Sequence, residues 1–239
     1  MSKAATAVST NLVASTDTLP AHLKAVEGVG RGNENVGSAL QIPRIKLLQK
    51  MSNEVDKHHP SYVEGCEPGN FVNTVTGENY GNDIYALSLT FKTEYVVWRD
   101  IEAGGGYGGA FTTQGEADAC IAEQDKPSEY AAVETHSHVL LLKDPNTGDL
   151  DRAPSIMDFA SSKLRVSKAW NSQIGMKGGD RFAALWKVSG VPTENKMGKA
   201  FMNCEVSFVG WAQESDYKAA EAMYDQYSNT LGRGALLPL

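Results

Sequence analysis

Residues 130–159 read YAAVETHSHVLLLKDPNTGDLDRAPSIMDF. Tyr130–Lys143 is rich in β-branched and apolar side chains and has the length of a long strand. Asp144-Pro145-Asn146-Thr147-Gly148 is a hairpin turn signal, with Pro to preset φ and Gly to take a positive one. Ala153–Phe159 then reads as the returning strand. Two strands joined by so short a turn must run antiparallel, and this pairing sets the class of the fold.

The same punctuation recurs on both sides. Upstream, order is expected to begin near Ile42–Leu48, followed by a turn and short strand over Glu67–Asn73 and a second turn at Thr76-Gly77-Glu78. Ile84–Leu89 and Thr93–Arg99 read as two strands. A loop with five glycines around Tyr107, between Ile101 and Thr113, reads as a long hairpin tip. Thr113–Gln124 has helix-forming composition. Downstream, Ser161–Ile174 is a helix candidate capped by Ser161 or Ser162 and broken at Gly178-Gly179-Asp180. Arg181–Val191 and Ala200–Ala212 form a further hairpin, and a last helix spans about Ser215–Leu231. The expectation is α+β: one domain with a curved, mostly antiparallel sheet or partly open barrel and two to three helices. Its core would run over 41–232. Residues 1–40 read as a mobile polar tail with a helical turn around Ala21–Val26, and 233–239 as a short apolar tail.

Composition narrows the function. With 41% hydrophobic and 21% charged residues, the 239-residue chain can bury a core. It has no apolar run of about 18 residues to cross a membrane, and its first residues lack the apolar stretch of a signal peptide. Three scattered cysteines suit a reducing cytoplasm. No nucleophile elbow, His-Glu-x-x-His, Cys-x-x-Cys or phosphate-binding loop occurs, so neither an enzyme nor a cofactor is expected. His136 and His138 project from one strand face with metal-like spacing but lack a third and fourth ligand. They are read as a solvated strand face, with a zinc enzyme as the remote alternative.

The net charge of −7 hides strong segregation. Residues 58–160 carry seventeen acidic and five basic groups. Residues 161–200 carry eight basic and two acidic, net +6. On the helix of that basic segment, Val166, Trp170 and Ile174 form an inward stripe, while Arg165 and Lys168 lie on the outer face beside Ser172. On the following strand Phe182, Ala184, Trp186 and Val188 alternate with Arg181, Ala183, Leu185 and Lys187; the apolar set is expected to pack inside, although Phe182 and Trp186 could instead serve as a stacking platform. Cations interleaved with rings are what a single strand of nucleic acid requires, a positive groove for phosphates and π-faces for bases. The candidate contacts are Arg44, Lys46, Lys50, Arg99, Tyr107, Lys163, Arg165, Lys168, Lys177, Arg181, Lys187, Lys196 and Lys199.

Several stretches carry a resemblance: IPRIKLLQKMS (42–52), GNFVNTVTGENYG (69–81), YVVWRD (95–100), DPNTGD (144–149), SSKLRVSKAWNSQ (161–173) and EVSFVGWA (205–212). In this order the chain resembles single-stranded-DNA-binding proteins of tailed bacterial viruses, nearest to the Drc-type RNA polymerase cofactors of podophages. The resemblance implies single-stranded DNA binding, a phage RNA polymerase partner and a fold unlike the oligonucleotide-binding barrel. Many such proteins end in an acidic docking tail; this chain ends in ALLPL. The expectation is therefore a sequence-tolerant, homo-oligomeric single-stranded-DNA-binding protein of the host cytoplasm, serving phage replication or transcription. The alternative is a virion or scaffold module whose basic segment pairs with an acidic surface of a neighbouring subunit.

Overall fold

The computed structural model describes residues 43–231, with side chains through residue 226. Both expected tails, 1–40 and 233–239, and the helical turn at 21–26 lie outside the described residues. The strands are β1 (Ile45–Leu47), β2 (Phe71–Asn73), β3 (Asn79–Gly81), β4 (Asp83–Arg99), β5 (Tyr107–Phe111), β6 (Tyr130–Lys143), β7 (Ser155–Ala160), β8 (Ala184–Glu194) and β9 (Ala200–Trp211). The helices are α1 (Gln114–Ala122), α2 (Leu164–Lys177) and α3 (Glu214–Leu231). The fold is α+β, as the hairpin signals imply.

The main sheet runs β7-β6-β4-β8-β9, every pair antiparallel, and β7 and β9 are its edges, so it is not closed into a barrel. The two strands expected at 84–89 and 93–99 are one, β4, bent at a bulge between Ser88 and Thr90. The bulge absorbs the extra residue that would otherwise break the ladder. Past it, β8 gives way and β5 takes the same edge of β4, pairing Tyr95 with Phe111 and Trp98 with Tyr107. The glycine-rich segment is thus the hairpin tip expected.

Both faces of the sheet are covered, which explains the unbroken run Val139-Leu140-Leu141-Leu142 on β6. Leu140 and Leu142 face one way, onto Phe159, Trp186, Val188 and the α2 residue Trp170. Val139 and Leu141 face the other, onto Leu87, Leu89 and Ala220 of α3. The small sheet β1-β2-β3 adds Ile45, Leu47 and Phe71 to the α2 side. Val166, Trp170 and Ile174 form the inward stripe of α2 as expected.

Two local expectations fail for backbone reasons. α2 starts at Leu164, because Ser161–Lys163 form a tight 3-10 turn with Ser161 at φ 51° and no side-chain cap. By contrast Thr113 caps α1 in a full capping box with Glu116. β8 begins only at Ala184, so Phe182 escapes the strand alternation and packs under α3, opposite Trp186.

Candidate nucleic-acid interface

The twelve basic residues singled out in the sequence separate into three groups once folded. The first group is paired with carboxylates. Arg44 binds Asp158, Lys46 Nζ donates to both oxygens of Glu54 (2.7 and 2.9 Å), Arg99 binds Glu129 (2.6 Å), Lys168 lies 3.4 Å from Glu134 and Lys187 3.4 Å from Asp83. Five expected phosphate contacts are thus already partnered by the protein's own carboxylates, four of them from the acidic segment 58–160.

The second group is turned inward. Lys163 donates to the Asp158 carbonyl (3.0 Å). Arg181, expected on an outer strand face, lies largely within the protein and donates to Ser88 Oγ (2.8 Å), Asn171 Oδ1 (2.6 Å) and His138 Nδ1 (3.1 Å). Burial pulls its pKa down to about 10, which leaves it charged at neutral pH.

The buried histidine pair corrects another expectation. His136 and His138 are 5% and 0% exposed, not a solvated face. Because Arg181 can only donate, His138 Nδ1 must accept, so its Nε2–H donates to Ser167 Oγ (2.7 Å). The Ser167 hydroxyl then donates to His136 Nδ1 (2.9 Å), and His136 Nε2–H to Glu134 Oε1 (3.1 Å). The chain of donors runs one way, from the interior guanidinium to a carboxylate beside Lys168. Burial, then the Arg181 charge, then His136 hold the His138 pKa down to about 2, so the ring stays neutral, stacked on Trp170 at 4.4 Å and 3°. Every ring nitrogen is engaged. Among the described residues no group of three or more His, Cys, Asp or Glu is placed to hold a metal ion.

The third group is Lys50, Arg165, Lys177, Lys196 and Lys199. All five are exposed, and none has a carboxylate partner among the described residues. They converge on one side of the molecule. Arg165, Ala169, Gln173 and Lys177 follow one another at four-residue intervals, a single ridge of α2. Arg165, Ala169 and Gln173 line an open groove of about 450 Å³ against Val191, Thr193, Asn203 and Val206 of the β8–β9 hairpin, with Glu205 its one carboxylate. Lys177 closes the ridge with its Nζ 3.4 Å from the centre of the Phe208 ring. Lys196 and Lys199 occupy the hairpin tip, and the Lys50 turn is tied to β9 by the Gln49 side chain, which bonds both backbone groups of Met202.

Rings accompany these cations. Trp170, Trp186, Phe208 and Trp211 make consecutive edge contacts at 6.1, 5.6 and 5.7 Å, leading from the core to Trp211, which is 57% exposed. Sequence reasoning missed Phe208 and Trp211 as a pair. At a spacing of three they belong on opposite faces of a regular strand. The bulge at Val209, where Trp186 pairs Phe208 and Leu185 pairs Gly210, returns them to one face. Trp170 and Trp186 themselves are core.

Arg44 and Tyr107 meet elsewhere. They line a cleft of about 420 Å³ with Trp98, Glu94, Ser137 and Asp158, on the sheet face opposite α2. Trp98 and Tyr107 touch edge to face at 5.6 Å. Both carboxylates there are neutralised, by Arg44 and Lys92.

Fold and site together define an α+β protein with an open antiparallel sheet and a cation-and-ring groove along one helix and one edge strand. The chain belongs to the Pam3 phage gp34-like protein family, whose model matches residues 10–231. It is thus a member of a phage protein family. No curated protein and no solved structure matches it. No helix among the described residues is long and apolar enough to cross a membrane.

Proposed function

We propose that this protein binds single-stranded DNA without sequence preference and without catalysis, along the α2–β9 groove. The observation that carries the reading is the α2 ridge from Arg165 to Lys177 set beside the aromatic series that ends at Trp211. Cations without carboxylate partners have their charge available to phosphates, and an exposed indole backed by a packed ring offers a face to a base. The pairing of the other basic residues explains how an acidic chain can confine binding to one strip. With the phage family and the Drc-type resemblance, this reading puts the protein in the host cytoplasm, in phage replication or as a cofactor of phage RNA polymerase.

The test is fluorescence anisotropy of a labelled mixed-sequence oligonucleotide at several salt concentrations, with duplex as competitor. Each phosphate neutralised contributes ~0.7 to the slope of log affinity against log salt on a single strand. Arg165→Ala with Lys177→Ala should therefore lower that slope by about 1.4 and weaken binding roughly 25-fold near 0.1 M salt. An unchanged slope would remove the ridge from the site; absence of binding to the wild type at low salt would remove the function.

A further inference from the structure

Opposite charges lie at the tip of the β8–β9 hairpin and beyond its other end. At its tip, Lys196, Met197 and Lys199 are exposed, Met197 at 84%. The tip is rigid: the Asn195 side chain accepts from the backbone N–H of Met197 and of Lys199 (both 2.9 Å), and Gly198 N–H donates to the Asn195 carbonyl (2.9 Å). Such a turn holds an apolar side chain in solvent between two cations. Glu194 is the single carboxylate beside it.

Beyond the other end of β8 lies an open cleft of about 720 Å³ between α3 and the sheet, lined by Leu89, Phe91, Phe182 and Tyr224 with Asp180, Glu221 and Asp225 at its rim. Arg181 also lines it, but its guanidinium is spent inward on Ser88, Asn171 and His138. Asp180 accepts from the Tyr217 hydroxyl at the rim. The cleft is acidic outside and aromatic inside.

We propose that the hairpin tip of one copy docks into this cleft of the next, Met197 against the rings and Lys196 and Lys199 against Glu221 and Asp225. The match is one of charge and shape: a cation-flanked thioether on a stiff turn, and a carboxylate-rimmed aromatic cleft, a pairing that sulfur–ring contacts favour. Tip and cleft are separated by the eleven residues of β8, roughly 36 Å, so a copy cannot satisfy itself. The contact is therefore head-to-tail and propagates into a ring or a chain of copies. It leaves Arg165, Lys177 and Trp211 outside the contact, and it holds whether or not the groove binds DNA.

Sedimentation velocity of the full chain tests it. The wild type should gain mass with concentration at low salt and lose it at high salt. Lys196→Glu with Lys199→Glu, and separately Glu221→Lys with Asp225→Lys, should each be monomeric, since tip and cleft then repel. Mixed in equal amounts, the two variants should associate again, each reversed end meeting its complement. Met197→Ala should weaken wild-type association at least about tenfold. All five positions are exposed, and circular dichroism checks that the variants fold. A wild type that stays monomeric, variants that keep its mass, or a mixture that does not associate overturns the proposal. If the wild type is monomeric and removal of residues 232–239 exposes Tyr224 to quenching, the cleft belongs to the chain's own terminus and the proposal also fails. Oligonucleotide binding by the cleft variant, measured alongside, reports on the groove independently.

Discussion

Ser167→Ala isolates the one-way hydrogen-bond chain. Ser167 is wholly buried, and its hydroxyl hydrogen-bonds both histidine rings. Alanine would strand the His138 Nε2–H and the His136 Nδ1 lone pair. Neither ring can compensate by changing tautomer, because Arg181 holds His138 Nδ1 as an acceptor and Glu134 holds His136 Nε2 as a donor. A buried polar group left unpaired costs about 1–3 kcal/mol. Two such groups, less about 0.5 kcal/mol gained from the better helix propensity of alanine, give a loss of about 1.5–5.5 kcal/mol. Urea unfolding followed by tryptophan fluorescence measures it as a shift in midpoint at constant slope. Ser172→Ala is the matched control: it lies on the exposed side of the same helix and bonds only the Lys168 carbonyl, so it should be neutral or slightly stabilising. If Ser167→Ala costs no more than about 0.5 kcal/mol, the relay is geometric coincidence rather than a fastening of α2 to β6.

Acid should destabilise the protein through His138. Its folded pKa of about 2 lies below the ordinary imidazole value of 6.5, so the unfolded chain binds the extra proton, and stability falls as pH drops below about 6.5, by ~1.4 kcal/mol per unit from this group alone. Asp151, pushed up to about 6 by burial and then by Glu78 and Asp144, opposes it between about 6 and 3.8, in a weaker way because the group is half in solvent. Asp151→Asn should therefore steepen the fall between pH 6 and 5, which urea midpoints at each pH would reveal. Gly190→Ala should destabilise by about 3 kcal/mol or more, since a Cβ there would sit 2.1 Å from the Gly69 carbonyl oxygen; a wild-type unfolding curve would contradict that close approach. Trp211→Ala should weaken oligonucleotide binding by about 1–3 kcal/mol while leaving the urea midpoint close to wild type, whereas loss of both would mark the indole as structural.

Much of the fold was legible because strand and turn signals are local. The hairpin turn at 144–148, the helix within 113–124 and the inward stripe of α2 follow from residues within a few positions of one another. Breaks in local regularity were not legible. Nothing near Ser88 announces that β4 continues through a bulge, and nothing in Phe-Val-Gly-Trp announces the bulge that aligns Phe208 with Trp211. The start of β8 at Ala184 likewise depends on Phe182 finding α3.

The candidate site divides along the same line. The basic segment and its rings could be read directly, because charge and aromaticity are properties of residues. Which charges remain available is a property of pairs, and the partners are distant in sequence: Asp158 for Arg44, Asp83 for Lys187, His138 for Arg181. The amino-acid sequence alone determined that positive charge gathers in residues 161–200 and that an antiparallel α+β fold carries it. Only the tertiary structure decided that five of the candidate cations are held by carboxylates and two are turned inward, while five stay exposed on one edge, because a salt bridge forms wherever folding brings opposite charges within about 4 Å, whatever the chain length between them.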